Sequence, residues 1–195
     1  HGDFLKETLI RAGINTDNLI QDEKYFTTLA FVSLKENGER EFAFARKPGA
    51  DTNLCMKEID PEILENTRVF HVGSLSLTDD PSRTATYEAI NIARNSGAVI
   101  SYDPNYRAAL WSDPETAQLR MQSLIPYVDM MKISDEETSL LTPYQDPEEA
   151  IQYLLRQGVH LVAVTLGRDG ALIGNENGSV KAEGFSSHAV DTTGA

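Results

Sequence analysis

Four short apolar or β-branched runs recur along the chain, at Arg68 to Val72, Ala98 to Tyr102, Met130 to Ile133 and Leu161 to Leu166. They are too short for helices and too continuous for strands with one face in water, so they predict strands buried in a parallel sheet. Polar stretches of helical character separate them, and the starts of those helices are legible. Asp60-Pro61, Asp80-Pro81, Asp113-Pro114 and Asp146-Pro147 each set an N-cap acceptor before a proline, whose missing N–H costs nothing at the first helical position. The helix from Pro81 should end near Gly97 and feed the second run, and the helix from Pro147 should end at Gly158 and feed the fourth. Strand, helix, strand in repetition predicts an α/β fold of right-handed crossovers.

Tyr25 to Arg46 breaks that rhythm. Leu29, Phe31 and Ser33 alternate with Ala30, Val32 and Leu34, Glu36-Asn37-Gly38-Glu39 supplies a turn, and Arg40 to Arg46 alternates again through Phe42 and Phe44. This predicts a two-stranded antiparallel ribbon, in its simplest reading an edge hairpin of the main sheet. Repeats, low-complexity stretches and interdomain linkers are not evident, so one domain over 1–195 is the expectation.

Composition narrows the partners. The chain has 195 residues, 41% hydrophobic and 24% charged, ordinary for a globular protein. Seventeen basic against thirty acidic residues give a net charge of -13, which opposes attraction to nucleic acid or to an anionic membrane. A nucleotide entering such a field needs local positive charge or magnesium. The single cysteine, Cys55, cannot close an internal disulfide, and nothing resembles a signal peptide or a membrane span. A cytoplasmic protein is expected, with Cys55 in the core or a loop. His71, His160 and His188 lack metal-ligating or nucleophilic neighbours in sequence and are expected to be packing residues.

Candidate chemistry follows the strands. Arg46, after Phe44 and before Pro48-Gly49-Ala50-Asp51, offers a rigid fork of donors to hydroxyl or carboxylate oxygens, or is simply solvated. Gly73 and Ser74 close a buried strand at the edge where open α/β sheets bind ligands, or form an ordinary tight turn. Asp103, Asn105 and Arg107 alternate in Asp-Pro-Asn-Tyr-Arg and can present acceptor, amide and cation together to a polyhydroxy ligand. An Asx-turn stabilised by Pro104 is the alternative. Ser134 and Glu137 form an S-x-x-E capping box after Lys132, which explains them without a ligand. Thr165, Gly167 and Gly170 form a turn that could be only a hairpin into Ala171 to Gly174. The chain reaches Asp191-Thr192-Thr193-Gly194-Ala195, an acidic residue, hydroxyls and small residues after a strand-rich stretch, as at a helix start whose amides face an anion.

In this order the segments resemble the ribokinase-like (phosphofructokinase-B-type) carbohydrate kinases, most of all bacterial fructokinases. The resemblance implies a mostly parallel sheet flanked by helices as an αβα sandwich, with a β lid over about 25–46. It implies transfer of phosphate from ATP to a sugar hydroxyl, most simply the 6-hydroxyl of fructose. A 2-keto-3-deoxygluconate kinase is an alternative compatible with Arg46 and Arg107. A non-catalytic sugar- or nucleotide-binding protein is another, since fold alone does not fix function.

Residue by residue, the resemblance assigns Phe44, Arg46, Gly73, Ser74, Asp103, Asn105 and Arg107 to the sugar and Lys132, Ser134, Glu137, Thr165, Gly167 and Gly170 to the nucleotide. Glu137 would act on magnesium through water, and Ser134 departs from the family's asparagine. Gly194 and Ala195 would hold the transferring group's charge, and Asp191 and Thr193 a monovalent cation such as potassium. It also implies that Gly2-Asp3-Phe4-Leu5 enters the family's second helix, that a glycine-rich sugar-binding strand lies upstream, and that the catalytic aspartate lies just past Ala195. This stretch alone would then be inactive. A homodimer through the lid is a further implication.

Overall fold

The computed structural model describes residues 1–34 and 40–185. In chain order its elements are helix α1 (Gly2–Arg11), strands β1 (Leu29–Leu34) and β2 (Arg40–Ala45), helix α2 (Pro61–Glu65), strand β3 (Val69–Gly73), helix α3 (Ser82–Asn95), strand β4 (Val99–Asp103), helix α4 (Pro114–Gln122), strand β5 (Met130–Ser134), helices α5 (Thr138–Leu141) and α6 (Pro147–Arg156), and strands β6 (Leu161–Thr165), β7 (Ala171–Asn175) and β8 (Gly178–Ala182). All four apolar runs are strands, each within a residue or so of its expected span. Three of the helix starts form as read: Asp60, Asp113 and Asp146 accept from the backbone N–H of Glu62, Thr116 and Glu149. The fourth is displaced, because the Asp80 carboxylate accepts instead from the N–H and hydroxyl of Thr84, and α3 begins at Ser82 with Pro81 as its cap.

Six strands form one sheet in the order β3-β4-β5-β6-β7-β8. The first four are parallel and the last two antiparallel. Strands added in sequence order by right-handed crossovers place their connecting helices on the same face. Burial agrees: Val72, Ile100, Tyr102, Met131, Ile133, Val162 and Val164 are buried on that face, against Ala89, Ile90 and Ala93 of α3, Ala117 and Met121 of α4, and Ile151 and Leu154 of α6. Each fully buried Ile or Leu contributes about 1.5–3 kcal/mol relative to exposure. On the opposite face, among the described residues, Val69 and Ile173 are exposed, so two layers of the three-layer sandwich are visible here.

The ribbon is not an edge of this sheet. Among the described residues β1 and β2 pair only with each other, as a separate antiparallel sheet in a register that sets Phe31 opposite Ala43 and Val32 opposite Phe42. Phe42 and Phe44 stack on one of its faces with ring centroids 6.2 Å apart. Phe31 is 58% exposed and Val32 and Phe42 are about two-fifths exposed, so both faces of the ribbon keep apolar surface in solvent.

Candidate active site

Because β3 to β6 run parallel and side by side, their carboxyl ends bring four loops to one edge of the sheet. Register fixes the neighbours: Gly73 lies opposite Asp103, and Ser134 opposite Thr165. Most of the candidate residues, spread in sequence from Gly73 to Gly170, are therefore gathered along one edge by topology alone. This is where ligands bind in open α/β sheets.

The loop Asp103–Arg107 stands in the middle of that edge. Asn105 has φ 48°, a left-handed conformation that asparagine tolerates better than most residues, and its N–H donates to Asp103 Oδ1 at 3.1 Å. The segment is thus an Asx-turn, and the alternation expected of an extended loop does not apply. Asp103 also pairs with Lys132 at 3.2 Å, joining the ends of β4 and β5. Asn105 and Arg107 are exposed, and among the described residues Arg107 donates only to the carbonyl of its neighbour Tyr106 at 2.8 Å. Those two side chains are free to meet a ligand.

Ser74 and Glu137 are differently employed. Ser74 is fully buried, and both its N–H and its hydroxyl donate to the Pro104 carbonyl. Glu137 is 7% exposed. Its Oε2 accepts from the N–H of Ser134 at 2.8 Å and the Ser134 hydroxyl at 3.0 Å, forming the capping box, while Oε1 accepts from the Tyr106 N–H at 2.7 Å. The last of these bonds was not legible in the sequence, since it joins residues 31 apart. Nearby, burial first and the Glu137 charge second push the Tyr102 phenol well above its usual pKa, so it stays a neutral donor, directed to the Met121 carbonyl.

At the end of β6, Gly167–Asp169 make a tight turn into β7, so the T-L-G-x-x-G stretch is a hairpin turn in local structure. Gly167 has φ 56° with open space where a side chain would be, leaving its backbone approachable. Gly170 has φ 98°, and a Cβ there would collide with backbone atoms of Ala182 and Glu183, so its need for glycine is met inside the protein. Thr165 is half-buried, its hydroxyl 3.4 Å from the Ile133 carbonyl.

Arg46 sits at the base of the ribbon, where it meets the loop after β3, and is 5% exposed. All three of its guanidinium nitrogens donate internally: Nε to Asp51 Oδ2 at 2.7 Å, Nη1 to the Thr78 hydroxyl at 2.9 Å and Nη2 to the Leu75 carbonyl at 2.8 Å. Thr28, just before β1, donates to the other Asp51 oxygen at 2.6 Å, and Lys47 pairs with Asp79 at 2.9 Å. Burial pushes the Asp79 carboxyl up, but hydrogen bonds from Lys47 and Thr78 and the charges of Lys47 and Arg46 outweigh it and hold the group below its ordinary value. Thr28, Asp51, Thr78 and Asp79 were missed as members of this cluster. Only the proximity of Asp51 to Arg46 in sequence hinted at it.

A cavity of about 660 Å³ lies behind the ribbon base, lined by residues from the start of α1, from 18–28 and from 50–58, including Tyr25, Phe26, Asp51 and Leu54. Its lining includes none of the loop residues after β3, β4, β5 and β6. His71 is exposed and bonded to the Ser101 hydroxyl at 3.0 Å rather than packed in the core, and His160 is exposed beside Asp129. Cys55 caps a short turn, its thiol donating to Glu58, which together with burial and the Glu58 charge pushes the thiol up. Among the described residues no three acidic, histidine or cysteine side chains gather as a metal site, and no helix is long and apolar enough to cross a membrane. Asp191, Thr193, Gly194, Ala195, His188 and the turn Glu36–Glu39 lie outside the described residues.

Comparisons with known proteins agree with this fold. The chain is 37% identical over 195 residues to fructokinase-2 of Oryza sativa subsp. japonica, covering all of this chain and 58% of that protein. Its structure is similar to that of a fructokinase double mutant from Vibrio cholerae O395 bound to fructose, ADP and potassium, with a TM-score of 0.89 and 34% identity, covering 99% of this chain and 62% of that one. It is also similar to a Xylella fastidiosa fructokinase with bound ATP, with a TM-score of 0.81 and 30% identity, covering 92% and 57%. The chain thus spans little more than half the length of these relatives. With a ribokinase-like α/β fold and residues 1–195 matching throughout the family described as pfkB family carbohydrate kinase, the chain belongs to that family.

Proposed function

We propose that the full-length protein is an ATP-dependent fructokinase that transfers the γ-phosphate to the 6-hydroxyl of fructose. The observation that carries this reading is the exposed pair Asn105 and Arg107, set on the loop after β4 at the same sheet edge as the turn at Gly167, with β5 between them, in a chain 37% identical to a fructokinase. Such chemistry asks the protein to position two substrates and to stabilise charge. Asn105 and Arg107 would hold sugar hydroxyls, the Gly167 backbone would approach the nucleotide, and Lys132, paired with Asp103, would supply positive charge between them. Arg46 is read as a brace of the lid base, and Ser74 as a support of the sugar loop.

Magnesium fits these residues in a limited way. It commonly keeps several waters and is held through phosphates and one or two carboxylates, so a gathered carboxylate cage is unnecessary. Glu137 Oε1 accepts one bond and retains a lone pair for an intervening water. When bound, the metal would neutralise charge on the phosphates, an important service in a protein of net charge -13. Gly194 and Ala195 as an anion hole, and Asp191 and Thr193 as holders of potassium, are part of the same proposal. So are a cytoplasmic location and a dimer formed through the apolar faces of the ribbon.

The test is phosphorylation of fructose and of 2-keto-3-deoxygluconate by the full-length protein with ATP and magnesium. Fructose should be the better acceptor by kcat/KM. Preference for the sugar acid would replace the substrate, and turnover of neither would remove the fructokinase reading.

A further inference from the structure

We infer that Glu137 is a positioning residue for the sugar-facing loop, acting through the Tyr106 amide. A capping box needs only the two bonds within Ser134–Glu137. The third bond, from the Tyr106 N–H to Oε1, reaches out of the β5 loop into the loop after β4. On the other side of the same loop, the Pro104 carbonyl is held by the N–H and hydroxyl of Ser74, from the loop after β3. Pro104 and Tyr106 are therefore tied to opposite neighbours. Asn105 stands between them at φ 48°, with Arg107 one residue on, and both side chains face solvent.

The loop that carries the two candidate sugar ligands is thus suspended from two buried side chains, Ser74 and Glu137. Glu137 also caps the turn that opens with Ser134, so one carboxylate fixes the sugar loop relative to the loop on the nucleotide side. A hydrogen bond to a charged acceptor contributes enough that its loss should change a rate or a protection factor by about tenfold or more.

Glutamine does not substitute cleanly here. Both carboxylate oxygens accept from backbone N–H groups, so the amide nitrogen that Glu137→Gln introduces would oppose the N–H of either Tyr106 or Ser134. The kinetic part of the test rests on the fructokinase reading, and the exchange part does not. In the wild-type full-length protein the Tyr106 amide should be protected from hydrogen exchange, and Glu137→Gln should lower that protection by about tenfold or more. With fructose and ATP, the same variant should lower kcat/KM for fructose by a similar factor, with a raised KM for the sugar whether or not its magnesium titration also moves. Glu137→Asp keeps the charge but is one methylene short, and should act in the same direction.

An unprotected Tyr106 amide in the wild type would overturn the inference whether or not either variant folds. So would a variant whose only kinetic change is in its magnesium titration. Protection that depends on Glu137 in a protein that phosphorylates no sugar would sink the fructokinase reading and leave the positioning role standing.

Discussion

Arg46 and Arg107 each follow an apolar strand and enter a loop containing proline, and in sequence they are equally good candidates to meet a sugar. In the structure they part. Arg46 is buried with all three guanidinium nitrogens donating to Asp51, Thr78 and Leu75, and it joins the ribbon base to the loop after β3. Arg107 is exposed, and its one internal bond among the described residues is to the adjacent carbonyl. The difference comes from what lies across from each residue: a carboxylate, a hydroxyl and a carbonyl converge on the first, and solvent faces the second. A donor already satisfied inside the protein holds the scaffold, whereas a donor left at a binding edge can recognise a substrate.

Removing Arg46 should give the largest effect on stability. Arg46→Ala strips charge-assisted bonds from a buried site and should cost about 2–4 kcal/mol in urea unfolding. Lysine should not restore it, because a single ammonium cannot reach three partners in a fork. A loss below about 0.5 kcal/mol would erase the contrast with Arg107.

The neighbouring Lys47–Asp79 pair should contribute less, and only at some pH values. Asp79→Asn should cost about 0.5–1 kcal/mol near neutral pH, since the lysine is largely exposed and screened. The Asp79 carboxyl is held below its ordinary value in the folded state, so its contribution is full above the unfolded-state value near about pH 4. That contribution declines as pH falls through the lowered folded value. The wild type and variant should therefore converge in acid unfolding, and a gap that widened as the pH fell would contradict the sign.

A third change lies outside both regions and calibrates them. Asp146→Ala removes the bond to the Glu149 N–H at the start of α6 and should cost about 1 kcal/mol without selective loss of sugar affinity. A loss as large as that of Arg46→Ala would mean that any exposed cap matters as much as the ribbon base.

Much of the scaffold was legible because its signals are local. Aspartate before proline writes a helix start in two residues, and a short β-branched run writes a buried strand. Gly97 and Gly158, with φ of 88° and 99°, end their helices as their positions suggest. Asp80 escaped this logic because its carboxylate reached Thr84, a choice made by local geometry that the dipeptide does not encode. The site was legible as an order of motifs and as a sheet edge, but the task of each residue was not. The resemblance assigns Ser74 and Glu137 to ligands, and the structure adds bonds to Pro104 and Tyr106, each about 30 residues away, that the sequence does not name. The Asp103–Arg107 segment reads as either a ligand array or an Asx-turn, and it is a turn that leaves Asn105 and Arg107 exposed. Long-range partners decide such cases, and a single sequence does not name them.

The contrast between the two arginines is tested most directly by Arg107→Ala in the full-length protein, with activity and stability measured on the same sample. On the proposed role of Arg107 in holding the sugar, its loss should lower kcat/KM for fructose by about 100-fold. The urea midpoint should move by no more than about 0.5 kcal/mol equivalent, as for an exposed loop residue. Undiminished turnover, or a loss of stability like that expected for Arg46→Ala, would contradict the assignment of Asp103–Arg107 as the loop that meets the sugar.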